Sequence, residues 1–168
     1  KKKLSQEASM IEINRCNKPI GMQDHYSAAY GGFNSILFNK NKTVTVAKIK
    51  ISNSRLQNFK HHLMMFYSGI NRKADKILGI IKKEKKENIN YEKLSRLAKN
   101  FENELINGDL DNLGHILHEN WMLKKKLHKT VSNINLNEIY DNAISAGAIG
   151  GKLLGAGGGG YFLFFVKP

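Results

Sequence analysis

The sequence predicts an α+β fold with helices packed on a small sheet, and three observations predict it. Short strand-like runs stand at 33–38, 43–49, 63–67 and 161–166. Four stretches between the last two carry apolar residues at helical spacing. Strand, helices and closing strand in that order are what a lobe with helices on one sheet requires. At 168 residues the chain can form one domain or a compact pair of small lobes with an apolar core.

In chain order, Leu4, Ala8, Ile11 and Cys16 fit an amphipathic helix from about Leu4 to Asn14. Lys18-Pro19 should end it, because the residue before proline is pushed out of the α region. A glycine-punctuated segment, Ile20 to Gly32, follows without an assigned helix or strand. Phe33–Phe38 and Thr43–Ile49 read as two strands joined by the polar turn Asn39-Lys40-Asn41-Lys42. The character changes between Ser52 and Asn58, which places a lobe boundary there.

Leu63–Tyr67 reads as a buried strand. Helices are expected over Lys73–Lys86, Tyr91–Ile106 and Leu110–Leu127, the last with Asp109 as N-cap. A final helix, Leu136–Ala146, should stop at Gly147, and a glycine-rich loop then leads into the strand Tyr161–Val166.

Hydrophobic residues make up 41% and charged residues 24%, the balance of an ordinary globular protein. The net charge of +13 raises nucleic-acid binding as a reading. Against it, arginine is confined to Arg15, Arg55, Arg72 and Arg96, whereas base readout favours arginine, and the aromatics are not interleaved with the basic runs. Lysines spread over solvated helix faces explain the charge, and no nucleic-acid partner is expected. Lys1-Lys2-Lys3 is not followed by an apolar stretch, and no run approaches the roughly 20 residues of a membrane span. The single cysteine, Cys16, excludes an intrachain disulfide and a cysteine metal cluster, so a reduced, cytoplasmic setting is expected.

Two segments carry chemistry. In Gly150–Gly160, glycines supply positive φ and close backbone approach, so successive amides can point at an anion or at another loop. A flexible turn before an edge strand would use the same residues. The segment is not a Walker loop, since no Lys-Ser or Lys-Thr pair follows its glycines, and it precedes a strand, unlike a dinucleotide fingerprint. The second segment, Pro19–Gly32, holds Asp24 between glycines, where a carboxylate can face a substrate hydroxyl or bond its own backbone as an Asx-turn. His61, His62, His115 and His118 do not form a convincing metal set, and Trp121 stands at helical spacing as a core residue.

Taken together, Lys152-Leu153-Leu154-Gly155-Ala156-Gly157-Gly158-Gly159-Gly160 resembles the third motif of GHMP kinases, and Gly21-Met22-Gln23-Asp24 resembles the segment with their catalytic aspartate. Pro19-Ile20-Gly21, Gln23-Asp24, Tyr26, Ala28 to Gly32, Asn34, Phe66 to Ala74 and His118 to Trp121 resemble the branch that phosphorylates D-glycero-D-manno-heptose 7-phosphate, which is related to fucose kinases. The resemblance implies a C-terminal ferredoxin-like lobe with added helices over 53–168. It also implies the end of the N-terminal (S5 domain 2-like) lobe over 1–52.

The resemblance implies transfer of the ATP γ-phosphoryl group to an anomeric hydroxyl, with Asp24 as catalytic base and Glu12 helping to hold Mg²⁺. Gly21, Gln23, Tyr30, Gly31, Arg72 and Lys73 are the expected substrate contacts, with Arg72 and Lys73 opening a helix and receiving the remote phosphate. Lys152, Gly155, Ala156, Gly157, Gly158 and Gly159 are expected to support the nucleotide loop. A sugar phosphate and ATP are the implied partners, with a homodimer open to it. His25 stands where the branch usually has glutamine and reads as a partly exposed neighbour. The family's N-terminal phosphate loop does not occur in the sequence, so the chain reads as the second half of a longer enzyme. A non-catalytic module keeping the fold, or a kinase for fucose, is the alternative.

Overall fold

A computed structural model describes residues 1–83 and 91–168, and the expected helix end at 84–86 lies outside the described residues. The chain divides into two compact units, Lys1–Lys50 and Ile51–Pro168.

The first unit begins with α1, Lys2–Ser9, which runs into a π-helical turn, Met10–Arg15. The helix stops earlier than proline alone would require. Cys16 closes it and Asn17 takes a left-handed conformation (φ +50°), which asparagine tolerates better than most residues. The expected apolar face is not the buried one: Leu4 and Ile11 are 61% and 50% exposed, Cys16 is exposed, and the buried positions are Ser5 and Ser9. Both serine hydroxyls bond back to helix carbonyls, Ser5 Oγ to Lys2 at 2.9 Å and Ser9 Oγ to Ser5 at 2.7 Å. Small and internally satisfied, they suit the side of α1 that packs on α2.

The segment read as a tight glycine loop contains helix α2, Gln23–Tyr30, which ends at Gly31 (φ +62°). Glycine is needed there because a Cβ would be strained at positive φ. Tyr26, on the inner side of α2, is buried and packs edge-on against Phe38. The hairpin follows as β1, Asn34–Phe38, and β2, Val44–Lys48, antiparallel with Ile36 opposite Val46. Asn39 and Thr43 hold the turn through backbone and side-chain bonds.

The second unit opens with α3, Asn53–His61, a helix in the stretch where only a change of character was legible. Ser52 caps it by accepting from the Arg55 amide at 3.3 Å. The Arg55 side chain then donates to the carbonyls of Leu105, Glu104 and Gly108 at 2.6, 2.8 and 2.5 Å. Leu105 and Glu104 stand in the last turn of α5, Tyr91–Asn107, and Gly108 directly follows it, so the cation meets the negative end of the helix dipole. Helix α4, Ala74–Lys83, precedes α5, and α6, Asp111–Lys125, follows it. The α6 cap position is Leu110 rather than Asp109. Asp109 still serves the helix start, because its Oδ1 accepts from the Asp111 amide at 3.0 Å.

A short 3₁₀ turn, Lys129–Val131, leads to α7, Ile134–Ser145, capped by Asn133, whose Oδ1 accepts from the Leu136 amide at 3.0 Å. The sheet consists of β3, Leu63–Tyr67, β4, Gly150–Leu153, and β5, Tyr161–Phe165, antiparallel in the order β3-β5-β4. Strand β4 was hidden in the glycine-rich run. Its glycines serve close approach: a Cβ on Gly150 would lie 2.0 Å from the Gly114 carbonyl oxygen, so α6 can rest directly on the β4 backbone.

Trp121 from α6, Leu136 and Tyr140 from α7, Leu153 from β4 and Phe162 and Phe164 from β5 form the core with Val131. Strand β3 corrects an expectation, for it is not buried: Met64, Met65, Phe66 and Tyr67 are 45 to 62% exposed. It is an edge strand, and the cover supplied by α6 falls on β4 and β5. Hydrophobicity marks a strand but not its place in the sheet.

Candidate functional site

In the first unit Asp24 sits in the first turn of α2, exposed, and its carboxylate accepts no hydrogen bond from the described residues. It is therefore not an Asx-turn residue. It is an anion held at the favourable end of a helix dipole and left open to solvent. Gln23 precedes it on the same turn, with Gly21 just outside the helix. Tyr30 stacks on Tyr26 at the other end, where Gly31 ends the helix.

Glu12 lies in the π-helical turn, a local widening often found at functional positions. Its Oε2 meets His25 Nε2 at 2.8 Å. His25 is a partly exposed residue, as expected, but its side chain is only 8% exposed and its Nδ1 is buried without a partner among the described residues. It braces Glu12. The spacing of 13 residues between two helical segments gave no sign of that pairing.

In the second unit the glycine loop is packed rather than flexible. A Cβ on Gly157 would lie 2.8 Å from the Val131 carbonyl oxygen, and one on Gly159 would lie 2.6 Å from that of Ile70. Gly158 and Gly160 donate their amides to Val131 and Ile70 at 2.8 and 2.9 Å. Those two amides are spent inside the protein and do not point at an anion. The loop is a braced wall, with Ala156 at its turn.

Helix α4 begins at Ala74, so Arg72 and Lys73 precede the helix instead of opening it. Lys73 is exposed. The Arg72 guanidinium lies against Gly155, where a Cβ would come within 2.8 Å of it, and its Nε is buried without a partner among the described residues. Arg72, Asn71, Tyr67, Gly155, Gly160 and Tyr161 line a cavity of about 330 Å³, a volume at the small end of ligand sites.

The His118-to-Trp121 run sends four neighbouring side chains to four places. His118 Nδ1 meets the Tyr140 hydroxyl at 2.8 Å, Glu119 pairs with Lys93 at 2.8 Å, Asn120 Oδ1 accepts from Lys152 Nζ at 2.7 Å, and Trp121 enters the core. Lys152 thus leaves β4 toward α6. Sequence reading missed Lys124, whose Nζ donates to the carbonyls of Leu153 and Gly155 at 3.0 and 2.5 Å. Burial, then the charges of Lys152 and Arg72, lower its pKa from 10.5 to about 7. Burial also lowers that of Lys152.

This has a measurable consequence. Between pH 7 and 10.5 the unfolded chain binds more protons at position 124 than the folded one, so stability rises with pH. Below pH 7 both states are charged at that site and the folded state carries the full cost. Burial raises the Tyr140 pKa from 10.0 to about 12, which reverses the trend above pH 10. Urea titrations are expected to show stability increasing by roughly 2–5 kcal/mol from pH 7 to pH 10, with Lys124→Met reducing the slope. An unchanged slope in that variant would contradict the assignment.

Among the described residues, no group of three or more His, Cys, Asp and Glu could hold a metal by itself, and no helix is long and apolar enough to cross a membrane. Residues 97–168 match the family model described as GHMP kinases C terminal. The chain is 35% identical over 155 residues to D-glycero-alpha-D-manno-heptose 7-phosphate kinase of Campylobacter jejuni, covering 88% of this chain and 44% of that protein. A crystal structure of a D-glycero-D-manno-heptose 1-phosphate kinase from Bacteriodes thetaiotaomicron matches 98% of this chain and 44% of its own at a TM-score of 0.67 and 27% identity. L. major mevalonate kinase shares the fold at a TM-score of 0.67 and 23% identity, with 88% of this chain and 44% of that chain aligned. The chain therefore spans less than half the length of each of these relatives. Residues 97–168 match the C-terminal domain of GHMP kinases, and the chain is similar over most of its length to heptose-phosphate kinases.

Proposed function

We propose that the chain is part of a sugar-phosphate kinase that transfers the ATP γ-phosphoryl group to the anomeric hydroxyl of D-glycero-D-manno-heptose 7-phosphate. The reaction would serve nucleotide-activated heptose synthesis for surface polysaccharide, in the cytoplasm. Residues 1–52 belong, on this reading, to the end of the N-terminal lobe and 53–168 to the C-terminal domain. The observation that carries it is Asp24, an exposed carboxylate without a hydrogen-bond partner among the described residues, in the segment that resembles the kinases' catalytic motif.

Asp24 orients the acceptor hydroxyl and takes its proton, while Gly21, Gln23, Tyr30 and Gly31 shape the sugar's surroundings. Arg72 and Lys73 receive the substrate's own phosphate. Lys152 and the wall from Gly155 to Gly159 brace the nucleotide-binding part. Glu12 fits Mg²⁺ only as a single carboxylate, because His25 already engages one of its oxygens. A Mg²⁺ ion held there by Glu12 would supply neutralisation of phosphate charge.

The full-length gene product, supplied with ATP and Mg²⁺, is expected to release ADP with heptose 7-phosphate far faster than with fucose. A preference for fucose would move the substrate assignment. Absence of turnover with every sugar would replace the kinase reading with that of a non-catalytic module.

A further inference from the structure

We propose that Arg72, Lys124 and Lys152 together form a subsite for a phosphate dianion beside the glycine loop, with Lys124 a binding residue that the sequence did not reveal. The inference rests on the kinase reading only for what carries the phosphate. The subsite itself rests on geometry.

Lys124 reaches Gly155 from α6, and Arg72 reaches the same glycine from the segment before α4. Lys152 stands on β4, one residue before Leu153, whose carbonyl Lys124 also holds. Among the described residues no carboxylate pairs with any of the three, although Lys93, Lys99 and Lys167 all have carboxylate partners. Three half-buried cations without an anion are costly, since each raises the cost of charging the others.

Their donors are also incompletely used. Among the described residues, Lys124 spends two N–H groups on carbonyls, Lys152 spends one on Asn120, and the Arg72 Nε–H is buried without an acceptor. A dianion with several acceptor oxygens answers both deficits through charge-assisted bonds. The cavity of about 330 Å³ carries Arg72 and Gly155 on its wall, and Lys124 stands behind it, donating to the Gly155 carbonyl.

The other charged groups around Lys124 do not neutralise it. Lys125 on the same helix turns to the Trp121 and Tyr140 rings, Glu119 pairs with Lys93 of α5, and His128 ahead of the 3₁₀ turn bonds Thr130. Lys124, with its pKa near 7, is mostly neutral at pH 8 and regains its proton when a dianion arrives. Phosphate binding at pH 8 should therefore take up close to one proton, about 0.9 if the pKa returns to its ordinary value.

Calorimetric titration of this chain with inorganic phosphate at low ionic strength, in two buffers of different ionisation enthalpy, reads affinity and proton uptake together. Lys124→Met is expected to weaken phosphate about tenfold or more and to abolish the uptake, while Lys124→Arg stays within about threefold. Arg72→Gln, which leaves Lys124 in place, should weaken binding similarly, so a misfolded Lys124→Met would not spare the proposal. Lys3→Met serves as the control for net charge and should change nothing.

Mannose 6-phosphate and ADP identify the carrier. Lys124-dependent binding of the monoester assigns the subsite to the sugar phosphate, and tighter Lys124-dependent binding of ADP assigns it to the nucleotide. Phosphate affinity indifferent to both Lys124→Met and Arg72→Gln would overturn the subsite. No turnover is measured, so the subsite and the kinase reading can fail separately.

Discussion

Asp24→Asn in the full-length gene product is expected to lower kcat by about 10²–10⁴-fold while leaving the fold intact. Asparagine keeps the size and loses the ability to take a proton. Because Asp24 is exposed and makes no hydrogen bond among the described residues, the stability cost is limited to its helix-dipole interaction, about 0.3–1 kcal/mol. The two effects are separable by measuring turnover and urea unfolding on the same preparation. A variant with full activity would remove Asp24 from the mechanism. Loss of both activity and stability would make it a structural residue instead.

Trp121→Ala is expected to cost about 3–5 kcal/mol, close to the whole stability of many small domains. The indole is fully buried, stands edge-on to Phe162, and tilts against Tyr140, which in turn tilts against Phe164 of the sheet. Lys125 lies over both the Trp121 and Tyr140 rings at 5.8 Å, so the substitution also strips a cation of its aromatic surface. The second unit should unfold at markedly lower urea, with loss of near-ultraviolet ellipticity. Trp121→Phe, which keeps an aromatic ring on the sheet, should recover most of the difference. The indole N–H has no partner among the described residues, so phenylalanine leaves no acceptor stranded.

The long helices of the second unit were legible because each buries an apolar stripe, and the stripe's period is visible in the sequence. Helices α2 and α3 were not, for they are eight and nine residues long and each buries a single aromatic, Tyr26 or Phe59. Strand β4 was illegible for a different reason. Its glycines join β5 through backbone bonds and admit α6 by having no side chain, which resembles a loop when only composition is read. The burial of β3 was misjudged because apolar content does not reveal which strand ends the sheet.

The site divides along the same line. Asp24, Glu12 and the glycine wall stand in segments whose wording resembles a kinase family, and the structure gives each a physical setting: an open carboxylate, a carboxylate braced by His25, and a loop packed on Val131 and Ile70. Lys124 could not be found that way. It is one of three consecutive lysines at the end of a helix, and only the fold brings this one beneath the loop. Arg55 is a similar case, since its target carbonyls lie some 50 residues away.

The kinase reading is tested most directly by the product itself. Phosphorus NMR of heptose 7-phosphate incubated with the full-length gene product, ATP and Mg²⁺ should show a second phosphate on the anomeric oxygen, the position-7 monoester retained, and ADP formed in equal amount. Phosphate appearing at any other position, or ADP released without a doubly phosphorylated sugar, would contradict it.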